Sequence, residues 1–120
     1  MAGELVPLVL IPRYTTYAGN DHFTTIGMDV TEYETAIVNV WCGDLVGTGG
    51  TVNLYFEEST DQNNWNVCYG VTDPEALTTS TEEQFTPTLG KRWFRIRLVL
   101  PNADNVLTAW AVGFLQERTT

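Results

Sequence analysis

Length, composition and charge narrow the class of this protein. The chain has 120 residues, of which 43% are hydrophobic and 18% charged, as expected of one globular domain. Its net charge of −9 disfavours binding to nucleic acid and to anionic membranes, and no apolar run approaches the roughly 20 residues of a membrane span. We expect synthesis in a cytoplasm without a signal peptide, and the two cysteines, Cys42 and Cys68, are compatible with free thiols or one disulfide.

The N-terminal segment, residues 1–14, is predicted to be an edge strand or an extended arm. Its apolar part reads LVPLVLIPRY and contains Pro7 and Pro12, which cannot donate hydrogen bonds to a sheet. Residues 15–120 are predicted to form a single β-sandwich domain. Within it, residues 15–29 are polar and contain glycine, which indicates a loop or a short strand.

Period-two alternation predicts the strands in the middle of the chain. Thr35–Val46 and Thr51–Glu58 alternate most clearly. The turn formers STDQNN at residues 59–64 then predict a hairpin with Trp65–Val71. That strand places on one face Trp65, Val67, Tyr69 and Val71. The threonine-rich segment Leu77–Leu89 is predicted to be a strand with a mostly solvated face.

The last part of the chain predicts two long strands separated by a turn at Pro101–Asn105. In Lys91–Leu100, the core face holds Phe94, Ile96, Leu98 and Leu100, and the other face holds Trp93, Arg95, Arg97 and Val99. Val106–Gln116 is apolar on both faces, so such a strand is central in a sheet or covered by another subunit. About seven or eight strands with short turns predict an all-β, antiparallel β-sandwich.

Residues able to carry catalytic or metal chemistry are few. His22 is the sole histidine, and neither a nucleophile elbow nor a catalytic cysteine pattern is present, so we expect no enzyme activity. One histidine and two cysteines fall short of a zinc site. Turn residues that offer oxygen ligands lack the spacing of a calcium loop, so no metal or cofactor is expected; they are Asp61, Asn63, Asn64 and Asp104.

Basic residues are concentrated in one seven-residue stretch, which holds Lys91, Arg92, Arg95 and Arg97. Arg95 and Arg97 share a strand face with Trp93. One interpretation is cross-strand pairing with a carboxylate such as Glu57. The other is a contact surface for an acidic partner or a neighbouring copy, because arginine beside tryptophan is a favoured interface composition.

Two stretches resemble a pattern found in small phage head and tail accessory proteins. In TVNLYFEESTDQNNWNV, a strand ending in Glu-x-Ser is followed by Asp61, a short polar turn and Trp65. In KRWFRIRLVLPNADNVLTAWAVGFL, an aromatic–Arg–x–Arg strand is followed by a turn and a closing apolar strand. The resemblance covers roughly residues 35–115 and implies a jelly-roll-like β-sandwich of the decoration or cement type.

The resemblance implies a virion structural protein that stabilises a shell through contacts with the major capsid protein or another virion protein. It also implies a homo-oligomer. By analogy, the N-terminal segment would lace onto a neighbour through Leu8, Leu10 and Tyr14. The alternative hypothesis is a carbohydrate-binding module for host glycans, with sugars stacked on the aromatic rings of Trp41, Tyr55, Trp65 and Trp93.

Overall fold

The computed structural model describes residues 4–119, and within that range it contains ten β-strands and no helix. In chain order they are β1 (Leu5–Ala18), β2 (His22–Thr24), β3 (Met28–Asp29), β4 (Tyr33–Cys42), β5 (Val52–Ser59), β6 (Asn66–Val67), β7 (Glu75–Leu77), β8 (Thr81–Phe85), β9 (Trp93–Val99) and β10 (Val106–Glu117). Accordingly, the described range holds no helix long and apolar enough to cross a membrane.

The strands form two antiparallel sheets that pack as a β-sandwich, which confirms the predicted all-β sandwich. One sheet has the order β1-β10-β4-β8. In the other sheet, β9 and β5 pair in the centre. The free edge of β9 pairs with β2 and β3, and the free edge of β5 pairs with β6 and β7. Ten strands therefore occupy eight positions, because two edge positions are each filled by two short strands.

The core lies between the sheets and is built from the alternating positions of the long strands. In β4 and β9 the buried residues are those that the alternation predicted: Ala36, Val38, Val40, Cys42, Phe94, Ile96 and Leu98. Burying a side chain of this size contributes roughly 1.5–3 kcal/mol. In the short β6 region, however, Val67 and Tyr69 are exposed and Cys68 is buried, because Val67 pairs with Glu57 on the outer side of its sheet.

Strand β1 is the edge strand of the four-stranded sheet and pairs with β10 as far as Ala18. Its register shifts between Val9 and Thr15, around Pro12, and Tyr14 adopts a φ of 61°. The predicted segment 1–14 thus continues past its expected end, because the chain resumes pairing after this irregularity. Residues 1–3 of that segment lie outside the described residues.

The position of strand β10 explains why both of its faces are apolar. It lies between β1 and β4, and its inward residues are Leu107, Ala109, Ala111 and Leu115. Val112 and Phe114 point outward, and Gly113 packs so closely on Ile37 that an added Cβ would overlap the Ile37 carbonyl oxygen. The strand is therefore central in its sheet, and its outer side is apolar as well.

Candidate interaction surfaces

The basic residues of β9 are held by one carboxylate on the neighbouring strand. Arg95 Nε donates to Glu57 Oε1 at 2.9 Å, and Arg97 donates through Nε and Nη2 to Glu57 Oε2 at 3.3 and 3.2 Å. Glu57 lies directly opposite Arg95 in the β5–β9 register, and its exposed fraction is 9%. The structure thus contains the cross-strand pairing that the sequence offered as one interpretation.

Aromatic rings cover the two guanidinium groups. Arg95 lies 4.1 Å from the ring centroid of Trp65, and Arg97 lies 3.8 Å from that of Tyr55. Arg97 Nη1 also lies 2.8 Å from His22 Nδ1. The side chains of Arg95 and Arg97 are only 22% and 18% exposed, so little of either guanidinium is accessible to a partner.

The other two basic residues of this stretch, Lys91 and Arg92, have separate partners. Lys91 Nζ donates to Asn66 Oδ1 at 2.8 Å. Arg92 pairs with Asp29 at 3.1 Å and lies 4.9 Å from the ring centroid of Trp93, with 60% of its side chain exposed. Arg92 therefore offers more accessible charge than Arg95 and Arg97, whereas Lys91 is half-buried as they are.

The three candidate residues of the N-terminal segment have different positions. Leu8 and Leu10 belong to the core of this chain, with exposed fractions of 2% and 9%, so they are not available to a partner in this structure. Their burial follows from the pairing of β1 with β10, which turns them towards the inside of the sandwich. Tyr14 is 68% exposed and lies edge-on to Trp41, with 6.0 Å between ring centroids.

The outer side of the four-stranded sheet is an exposed apolar surface. We call it the apolar face, and its members are Leu5, Pro7, Val9, Tyr14, Ile37, Trp41, Trp110, Val112 and Phe114. Of these, Trp110 is only 7% exposed, with Arg13 and Trp41 against its ring. The strand register aligns Pro7, Phe114 and Ile37 in one row across the sheet. Val9 and Val112 begin the next row, which ends in Asn39 and Gln84. Val9 and Phe114 are 60% and 42% exposed, so the surface is accessible as well as apolar.

An aromatic row crosses the same face beside these residues. Trp110 and Trp41 are register partners whose rings stack with centroids 6.3 Å apart. Arg13 covers Trp110 on the β1 side, 4.5 Å from the ring centroid, and Glu82 is the register partner of Trp41 on the β8 side. The charged groups of this row are thus one arginine over Trp110 and one glutamate on the β8 edge.

Such a surface is unusual on a chain with a net charge of −9. The rows that contain Phe114 and Val112 carry no charged side chain, although the chain has 15 acidic residues. Contiguous exposed apolar area bounded by polar residues is typical of protein interaction sites. Depletion of charge with enrichment of aromatic residues and arginine is also typical of interface cores.

An open groove adjoins the apolar face where β1 approaches β2 and β3. Its volume is about 430 Å³, and it is lined by Val9, Leu10, Tyr17, Thr24, Thr25, Ile26 and Met28. Ile26 is 89% exposed at its rim. The lining is mostly apolar and contains no charged residue, so the groove extends the apolar character of this side of the molecule.

Of the turn residues considered for metal binding, Asp61, Asn63 and Asn64 bond to one another, whereas Asp104 bonds to Thr48. Asp61 accepts hydrogen bonds from the backbone of Asn64 and Asn63 at 2.9 Å each, and these bonds hold the pKa of Asp61 well below its usual range. Residues 4–119 contain no group of three or more His, Cys, Asp or Glu side chains that could hold a metal ion. Cys42 and Cys68 are free and buried, and burial raises the pKa of both thiols.

No protein-family model matches the chain, and no curated protein is significantly similar to it. Of the apolar face, Tyr14 was a predicted interface residue and Trp41 a candidate for sugar stacking, and its other members were not among the predicted site residues. The signal for it was present in the sequence, since the strand Val106–Gln116 is apolar on both faces and Ile37 and Trp41 share the outward side of the strand Thr35–Val46.

Proposed function

We propose that this chain is a non-enzymatic structural protein of a phage-like particle, of the decoration or cement type, which stabilises a shell through protein–protein contacts. The observation that carries the proposal is the apolar face. An exposed apolar sheet face is costly in a free subunit, because it promotes unspecific association, and it is useful in a subunit that assembles. The high net negative charge elsewhere keeps such a subunit soluble before assembly.

The pattern of strand pairing supports a jelly-roll topology for this sandwich. The pairs are nested: β1 with β10, then β2 and β3 with β9, then β4 with β8, and finally β5 with β6 and β7. Wrapping one long hairpin of this kind into two sheets, each four positions wide, produces the eight-stranded double sheet of a jelly roll. Domains of that architecture occur in viral capsids and in lectins, which agrees with a virion location.

The proposal is tested by co-sedimentation with shells assembled from the major capsid protein of the same genome. We expect saturable binding of the wild-type chain, and weaker binding of Phe114→Asp, which puts a charge in the middle of the apolar face. Tyr69→Asp is the matched control, because Tyr69 is 81% exposed and follows β6, which belongs to the other sheet. A wild-type chain that stays in the supernatant would refute the proposal.

The second candidate function is a carbohydrate-binding module, which the exposed aromatic residues and the jelly-roll topology favour. Sugars need an open ring face. Guanidinium groups lie over the rings of Tyr55, Trp65 and Trp93, however, so these rings are partly covered. A glycan panel read by tryptophan fluorescence tests this candidate: a saturable change with any one glycan would favour sugar binding over shell binding.

A further inference from the structure

Two charged residues come from the edge strands that flank the aromatic row of the apolar face. Arg13 stands in the irregular part of β1 opposite Trp110, with its guanidinium over the Trp110 ring, and Glu82 of β8 is the register partner of Trp41. The backbones of these two residues therefore belong to opposite edge strands, which lie roughly 14 Å apart at about 4.8 Å per strand. Of the ion pairs within residues 4–119, none includes Arg13 or Glu82.

The centre of this arrangement is the line between β10 and β4. A two-fold axis can run along that line in the plane of the face. Rotation about it places a second copy on the face so that β8 of the copy covers β1, and each row of the copy covers the same row of the first chain. A second copy placed by this axis would bring its Glu82 over Arg13 and its Arg13 over Glu82. Phe114 would meet Ile37 of the other copy in the same way, and the Arg13 side chain that lies over Trp110 would meet Trp41.

We propose that a second copy of this chain covers the apolar face, related by a two-fold axis that runs along the strands between β10 and β4. The inference rests on the proposed assembly role of that face and names its partner: the shell would then bind the dimer through its other surfaces, and Phe114→Asp would weaken shell binding because it breaks the dimer. Each dimer then contains two reciprocal Arg13–Glu82 ion pairs at the edges of an apolar centre. Contacts of this self-complementary kind are those of an isologous interface.

The size of the face suits a stable dimer. Strand β10 has 12 residues, which span about 40 Å, and four strands span about 19 Å across. Allowing for twist, the whole outer side of the sheet, which is the apolar face together with its polar ends, covers on the order of 600–800 Å² per copy. Specific protein interfaces bury roughly 800 Å² per partner, so this side of the sheet is large enough when its polar ends are included.

Charge favours another copy over an arbitrary acidic partner. Two chains of net charge −9 repel one another, and the repulsion is smallest where their surfaces carry no carboxylates. The face brings a single acidic side chain per copy into the contact, and the axis places an arginine opposite it. The Asn39 and Gln84 amides already bond to each other at 3.1 Å, which lowers the cost of covering them.

Other two-fold axes in the plane of the face fit less well. An axis perpendicular to the strands reverses the order of the rows and leaves Arg13 and Glu82 facing apolar rows of the partner. Each charge would then lose water without gaining a partner, which is unfavourable. Packing with strands nearly aligned is also a preferred arrangement for two stacked sheets.

Charge reversal with sedimentation equilibrium tests this geometry. We expect the wild-type chain to dimerise, and both Arg13→Glu and Glu82→Arg to weaken the dimer by about ten-fold, because each creates two like-charge contacts. A mixture of the two variants should form heterodimers about as stable as the wild type, since both contacts then join opposite charges. Thermal unfolding of each variant checks that it is folded.

The outcomes separate the inference from the proposed function. A wild-type chain that is monomeric at roughly 100 µM, well above the dissociation constants of specific dimers, would overturn the inference even if it bound shells. Single variants as dimeric as the wild type, or a mixture that does not recover dimers, would overturn the axis. A dimer that behaves as described but does not bind shells would refute only the shell-binding role.

Discussion

Replacing Glu57 with glutamine tests whether the basic face of β9 is an internal structural unit. The variant keeps the shape of the side chain but leaves Arg95 and Arg97 without a carboxylate. An exposed ion pair contributes about 0–1 kcal/mol, whereas breaking a fully buried pair costs about 3–5 kcal/mol. The side chains here are 11–22% exposed, so two pairs sharing one carboxylate should cost about 2 kcal/mol of unfolding free energy.

Urea unfolding followed by tryptophan fluorescence measures this loss as a lower midpoint at an unchanged m value. The corresponding fall in Tm is about 6–10 °C for a domain of this size. Arg92→Gln is the control, because the Arg92–Asp29 pair is exposed and its removal should lower the urea midpoint much less than Glu57→Gln does. Equal effects of the two substitutions would refute the view that Glu57 holds the β9 arginines in place.

Three further substitutions or treatments have defined outcomes. Gly113→Ala should lower the unfolding free energy by about 2–4 kcal/mol in urea unfolding, because its Cβ would overlap a β4 carbonyl oxygen; an unaffected midpoint would contradict this packing. Hydrogen bonds lower the pKa of Asp61 in the folded chain, and the bond from the Asn64 backbone N–H has the largest effect. Asp61 therefore stabilises the fold above the unfolded pKa of about 3.8, and the advantage of wild type over Asp61→Asn in Tm should shrink as pH falls below about 4. Burial raises the pKa of the Cys42 thiol to about 11, so both thiols should react with a disulfide reagent at neutral pH only after urea unfolding, and fast labelling of the folded chain would contradict their burial.

The long strands could be predicted because their signal is local. In β4, β5 and β9 the alternation of apolar and polar residues follows directly from burial on one side of a sheet. The short strands gave no such signal. Leu77–Leu89 was predicted as one strand, but Ser80 adopts a φ of 58° and the segment turns there, so β7 pairs in one sheet and β8 in the other.

The candidate surfaces depended on contacts between distant parts of the chain. Whether Arg95 and Arg97 face a partner or Glu57 is decided by the β5–β9 register, which aligns residues about 40 positions apart. The apolar face likewise needs β1, β4 and β10 side by side. The sequence could show that the last strand is apolar on both sides, but the pairing decides which residues extend that surface.

Hydroxyl-radical footprinting of the aromatic side chains tests most directly whether the apolar face is an assembly surface. It compares the dilute chain with the concentrated chain and with the chain mixed with shells. Phe114 and Tyr14 are exposed on the apolar face, and Tyr69 is exposed away from it. We predict that assembly protects Phe114 and Tyr14 several-fold while Tyr69 stays reactive. Equal oxidation of Phe114 and Tyr14 under all three conditions would contradict the assembly role of this face.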